Sequence, residues 1–197
     1  MLKGNFCISL DNLPTLSDES NQKILNVYKE NLNNFHAYKN IDGVTTKVSS
    51  MQQIGFSGIR LDNTSQSGFN TIKNILEDHG IHLCYDHIYF VLQRIFYMAP
   101  PHTDPGRYAS LIYNIIGEAT TKFYTMENFI PNIDYKDHIL EVAETHKMKL
   151  CNWYLFNNGS IHSVHDINGY LRVSLTINSN LFTSYDTAKK DLNIIFR

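Results

Sequence analysis

The chain has 197 residues, 43% of them hydrophobic and 18% charged, with 12 Tyr and 11 Phe, a composition that fits one globular domain (1–197) and excludes the disordered class. Its net charge of -2 comes from 17 basic and 19 acidic residues with no dense basic cluster beyond the pair Lys189 and Lys190, which argues against a nucleic-acid partner and for a small or neutral substrate. No apolar run approaches the roughly 18 residues of a membrane span, the N-terminus lacks a signal-peptide pattern, and Cys7, Cys84 and Cys151 form neither a disulfide framework nor a zinc knuckle, so a cytoplasmic protein without a membrane partner is expected.

In chain order, the first predicted element is an amphipathic helix over 17–35, with Ile24, Leu25, Tyr28 and Leu32 at helical spacing and Ser17 and Asp18 as caps. A second helix starts near Ser67, carries Phe69, Ile72, Ile75 and Leu76 on one side, and stops at Gly80. The two are expected to pack on one side of a sheet. From His82 onward the chain is rich in aromatic and β-branched residues. It predicts strands over 87–98, 108–116, 121–125, 150–156 and 170–177, divided by Gly, Asn, Asp or Pro clusters. The stretch DHILEVAETHKM (137–148) fits helix or strand, and its neighbours favour strand. The fold class is therefore mainly β with flanking helices (α+β). A helical part of about 1–80 precedes a jelly-roll or barrel core of about 83–180.

The chemistry concentrates in two stretches. In PPHTDPG (100–106), His102 and Asp104 stand two positions apart, which in an extended segment turns both side chains to one face. Such a pair is either a polar turn or half of a metal site. In LFNNGSIHSVHDINGYLRVSL (155–175), a turn delivers His162 to an extended segment, and Arg172 and Ser174 share a face of the strand that follows. Two histidines and one carboxylate form the ligand set that leaves coordination positions on an iron open. A nearby arginine can hold a dicarboxylate through its planar fork. His162 and His165 have opposite parity, so one faces inward; His162 is the expected ligand and His165 a solvated rim residue beside Asp166.

The order His102-Thr103-Asp104, then His162, then Arg172-Val173-Ser174 resembles the iron(II)- and 2-oxoglutarate-dependent oxygenases, whose pattern is HxD, a distant His, and RxS about ten residues later. His162 stands ten positions before Arg172 and His165 only seven, which again favours His162. The resemblance covers roughly 89–177 and implies a double-stranded β-helix core. It implies that His102, Asp104 and His162 are the catalytic, metal-holding residues for Fe(II), that Arg172 and Ser174 bind the cosubstrate 2-oxoglutarate, and that Asn114, on the face it shares with Ser110, is a further cosubstrate contact; Tyr97 reads as another such contact or as a packed core tyrosine. Retention of Asp104 implies hydroxylation or another oxidation, since halogenating members carry a small residue there.

Of the remaining residues, Arg107 reads as an exposed turn arginine or a substrate anchor. Arg94 reads as paired within the sheet or facing the site, Trp153 as packing, and Cys84 and Cys151 as small buried hydrophobes. The function the resemblance implies is a hydroxylase of an unactivated C–H, with O2 consumed and succinate and CO2 released. Its substrate is expected to be an amino-acid side chain, free or in a peptide or protein. The alternatives are a non-catalytic metal-binding cupin-like module or sensor, and an oxygenase acting on another small molecule. Nucleic-acid demethylases of the superfamily carry a second arginine six positions after the first, where this chain has Asn178.

Overall fold

In a computed structural model of the chain, residues 6–32, 37–41, 44–48, 56–82, 87–94, 99–104, 107–125, 140–179 and 181–195 are described. The elements run β1 (Cys7–Ser9), α1 (Asp18–Glu30), β2 (Ala37–Ile41), β3 (Val44–Val48), β4 (Phe56–Arg60), α2 (Leu61–Thr64), α3 (Gln66–Asp78), β5 (His87–Arg94) and β6 (Ala99–His102). They continue with β7 (Ser110–Thr125), β8 (Glu141–Met148), β9 (Trp153–Phe156), β10 (His162–Asn178) and α4 (Tyr185–Ile195).

Both expected helices form, and their ends follow the local chemistry. The Ser17 hydroxyl accepts from the Ser20 N–H at 3.1 Å, and the Ser65 hydroxyl accepts from the Gly68 N–H at 3.2 Å, each replacing a missing intrahelical acceptor. After α3, Gly80 takes φ +75°, with its N–H on the Glu77 carbonyl and the Ile81 N–H on the Leu76 carbonyl, both at 2.9 Å. That pair of bonds closes a Schellman motif and stops the helix where the glycine is needed.

Two long strands organise the sheet. The first half of β7 pairs with β9 and with the end of β10, while its second half pairs with β8 and with the start of β10. Strand β10 also pairs with β6 at its start and with β5 at its end, so both strands run from one wall of the barrel into the other. The predicted break near Gly117 is absent. The glycine takes φ +68° and turns the chain without ending the strand, so 108–116 and 121–125 belong to one element. The segments 162–169 and 170–177 likewise form one strand, with register shifts between His165 and Ser174 absorbing the bend. The ambiguous 137–148 segment contributes strand β8.

The first 80 residues are not only helical. β1 pairs with β9 at the sheet edge, β4 pairs with β5, and β2 and β3 form a separate hairpin. The pairings of β1 and β4 depend on partners far away in sequence, which local periodicity does not register. Helix α4 was likewise not expected.

Period-2 alternation separates two chemistries along β10. Val173, Leu175 and Ile177 join Phe90, Leu92, Leu111 and Trp153 in a buried core against Ile24, Tyr28, Ile72 and Leu76 of α1 and α3. Arg172, Ser174 and Thr176 point to the other face, into the barrel. The helices thus cover one side of the sheet, as expected, and leave its polar side for the cavity. Cys7 is a buried thiol, Cys151 is only half-buried at φ +56°, and Cys84 lies outside the described residues.

Candidate metal centre and the cavity around it

β6 and β10 are antiparallel with His102 opposite His162, so the two imidazoles meet across one register position, their ring centroids 4.3 Å apart. Asp104 lies just past the end of β6, where its N–H donates to the Asn158 carbonyl at 3.0 Å. Its Oδ1 is 3.8 Å from His102 Nε2 and its Oδ2 is 3.9 Å from His162 Nε2. One donor atom from each residue lies within 4.8 Å of the other two.

This donor set fits a divalent metal. His162 Nδ1 faces the Ser160 carbonyl at 2.9 Å. A carbonyl only accepts, so Nδ1 carries the proton and Nε2 turns its lone pair to the cluster. Burial, and then His102, push the His162 imidazolium well below its usual range, against the pull of Asp104, so the ring is neutral and able to ligate at neutral pH. Burial opposes the charge on Asp104, but Arg107, both imidazoles and Asn158 outweigh it and hold the carboxyl below the usual carboxylate range. Two imidazoles and one carboxylate suit a non-haem iron(II) with open positions.

Two residues embrace Asp104. Arg107 Nη2 lies 2.8 Å from Oδ1, and Asn158 Nδ2 donates to Oδ2 at 2.6 Å. Arg107 is 31% exposed, so it is a partly buried ion-pair partner and not the solvated turn residue that its Pro-Gly context favoured. Asn158 was missed in the sequence, although the turn that carries it, FNNGS, was recognised. Nothing local marks a turn asparagine as a contact to a carboxylate 54 positions away.

The cavity runs from this cluster to Arg172, past Ile112, Phe156 and Val164. Arg172 is only 5% exposed. Its Nε donates to Asn114 Oδ1 at 3.2 Å, its Nη2 lies 3.7 Å from the Met148 sulfur, and no carboxylate pairs with it among the described residues. Ser174 Oγ donates to the same Asn114 oxygen at 3.1 Å, and Asn114 Nδ2 donates to the Met148 carbonyl at 3.0 Å. Burial lowers the Arg172 pKa to about 10, so the guanidinium remains charged at neutral pH. A buried cation held only by neutral groups, with its remaining donors toward a cavity, suits an anionic ligand.

The structure therefore brings His102, Asp104 and His162 together at one end of a cavity and Arg172, Ser174 and Asn114 at the other. His165 is on the opposite face, as parity required. It is half-buried, 2.5 Å from Ser163 Oγ and 3.4 Å from Tyr124 Oη, and so is not the solvated rim residue expected. Trp153 packs in the core against Tyr113. Tyr97 and the Arg94 side chain lie outside the described residues.

No protein-family model and no curated protein sequence matches the chain. Similarity appears among solved structures. The non-heme alpha ketoglutarate dependent epimerase SnoN from nogalamycin biosynthesis aligns over 89% of this chain and 79% of its own, with a TM-score of 0.53 and 10% identity. AviO1 from Streptomyces viridochromogenes Tue57 aligns over 88% of both chains, with a TM-score of 0.54 and 8% identity. SnoN has also been solved in complex with Fe3+, alpha ketoglutarate and nogalamycin RO; that structure aligns over 90% of this chain and 80% of its own, with a TM-score of 0.51 and 10% identity. At these identities the likeness is one of architecture: the chain has the mainly β fold on which iron- and 2-oxoglutarate-dependent oxygenases of this kind are built.

Proposed function

We propose that this chain is an Fe(II)- and 2-oxoglutarate-dependent dioxygenase, working as one domain over 1–197, that hydroxylates an unactivated C–H. The observation that carries the reading is the pairing, in one cavity, of a buried His-Asp-His donor set with a buried arginine that has no carboxylate partner among the described residues. His102, Asp104 and His162 would hold the metal. Iron bound there supplies the activation of O2, coupled to decarboxylation of 2-oxoglutarate to succinate and CO2 and to oxidation of the substrate.

The remaining work falls to the protein. Arg172 takes the distal carboxylate of 2-oxoglutarate through its planar fork, Asn114 orients that fork through Nε, and Ser174 adds a hydroxyl beside it. Ile112, Phe156 and Val164 keep water away from the space between the two ends. Arg107, partly exposed and lining the same cavity, is placed to meet a carboxylate on the incoming substrate. This supports an amino-acid side chain, free or in a peptide or protein, as the group oxidised.

Succinate release from 2-oxoglutarate, with Fe(II), ascorbate and candidate amino acids or peptides, tests the reading against Asp104→Ala and Arg172→Ala proteins. Turnover in the wild type, lost in both variants, is expected. Tight metal binding with no turnover on any candidate would leave a metal-binding module in place of an enzyme, and turnover unaffected by Arg172→Ala would remove Arg172 as the anchor of 2-oxoglutarate.

A further inference from the structure

We propose that Asn158 is the positioning residue of this metal centre, and that it is itself set by a one-way hydrogen-bond relay running from Asn178 through Ser110 to the Asp104 carboxylate. The inference rests on the metal reading above, and it adds residues that neither the HxD…His pattern nor the fold likeness contains.

The relay is buried. Asn158 is 3% exposed, Ser110 0% and Asn178 7%. Ser110 Oγ lies 2.6 Å from the side-chain amide of Asn158 and 2.6 Å from that of Asn178.

Proton counting gives the relay a direction. Ionised Asp104 only accepts, so Asn158 must turn its NH2 to Oδ2, as it does at 2.6 Å. Asn158 then presents its carbonyl oxygen to Ser110, whose hydroxyl has one proton and donates it there. The Ser110 oxygen can accept from Asn178 only if that amide turns its NH2 inward, a choice of orientation fixed by the network. Every donor in the series thus points toward Asp104, an arrangement in which successive bonds polarise one another.

The relay ties the ligand to the rigid part of the fold. Asn178 ends β10 and Ser110 opens β7, two strands joined in one sheet, whereas Asp104 lies past the last residue of β6. The other carboxylate oxygen is held by Arg107, whose guanidinium lies over the Tyr89 ring, 5.7 Å from its centroid. The turn bearing Asn158 also supplies the backbone acceptor for Asp104 N–H and, through Ser160, the acceptor that sets the His162 tautomer. Partners of this kind fix the direction in which a ligand presents its lone pair, and losing one typically costs about 10–100-fold in metal affinity.

The test is a Co(II) titration of the metal-free full-length chain, followed by visible absorption and calorimetry, with the thermal midpoint measured alongside. Asn158→Ala is expected to weaken Co(II) binding about 10–100-fold. Ser110→Ala, which touches no ligand, should produce a smaller loss, and Asn178→Ala, one step further along the relay, a smaller one still. Asn157→Ala, in the same turn but lining a separate pocket with Tyr108 and Ser160, should leave affinity unchanged. A purely structural role would lower thermal midpoints without grading the affinities. Unchanged Co(II) affinity in both Asn158→Ala and Ser110→Ala would overturn the relay, and if Asn158→Ala fails to fold, Ser110→Ala and Asn178→Ala decide alone. A wild-type protein that does not bind Co(II) would instead overturn the metal reading on which the relay stands.

Discussion

His102 and His162 occupy facing positions of one antiparallel register, ring centroids 4.3 Å apart and planes tilted by 53°. Two imidazoles this close repel one another when both are charged, and they place two nitrogen donors where one cation can meet both. The register of β6 on β10, set by sheet pairing, is thus what turns two histidines 60 positions apart into a candidate site.

His162→Ala should abolish Co(II) or Fe(II) binding, while His165→Ala, whose ring faces Ser163 and Tyr124 on the other side of β10, should leave it nearly intact. Metal titration of the two variants checks this, and the reverse result would make His165 the ligand.

Arg172→Leu should separate binding from stability. The buried guanidinium lacks a carboxylate among the described residues, and such a charge costs folding energy that an apolar replacement of similar size does not. The metal-free variant is expected to melt at or above the wild-type temperature while 2-oxoglutarate affinity, read by calorimetry on the Co(II)-loaded protein, falls about 10–100-fold for the lost charged hydrogen bonds. Arg172→Lys should recover little of that affinity, because an ammonium cannot reproduce the fork.

The metal-free protein should lose stability on acidification. His162 is depressed in the folded chain by burial and then by His102, and Asp104 is depressed because Arg107 and the imidazoles outweigh its burial. The unfolded chain therefore takes up protons first, as pH falls below about 6.5 for the histidine and then below about 3.9 for the aspartate. Stability present above those values is lost as pH falls toward the folded-state ones. Urea midpoints of the metal-free protein are expected to drop between pH 7 and pH 5, and His162→Phe should flatten that step. A wild-type midpoint that does not change over the interval would contradict the assignment.

Gly117→Val should destabilise by about 1–2 kcal/mol or more, because the residue holds φ +68° at the bend of β7, where a β-carbon, above all a branched one, crowds the backbone. The thermal midpoint should fall by roughly 2–4 °C per kcal/mol in a domain of this size. Metal affinity is a second readout, since the bend lies between Asn114 and Thr121, both facing the barrel interior.

The two helices and the strand-rich second half were legible because amphipathic spacing and β-branched runs are local properties, and the caps at Ser17 and Gly80 are local as well. Strands β1 and β4 were not legible, because a short segment becomes a strand only through the partner it finds, here β9 and β5. The glycine expected to divide β7 illustrates the same limit, since a positive φ can end a strand or bend it and only the pairing on both sides decides which.

At the candidate site, His102, Asp104, His162 and Arg172 could be singled out from one dimension, because their spacing and parity are written along two extended stretches. The sequence by itself determined the donor types, their order and the single face that each strand can present. Only the tertiary structure decided what surrounds them: that Asn158 holds Asp104, that Arg107 is its ion-pair partner, and that Asn114 steadies a buried Arg172. The contacts of Asn158 and Asn114 join residues 54 and 58 positions apart, and hydrogen bonds of that kind follow from how the strands pair, which no local pattern encodes.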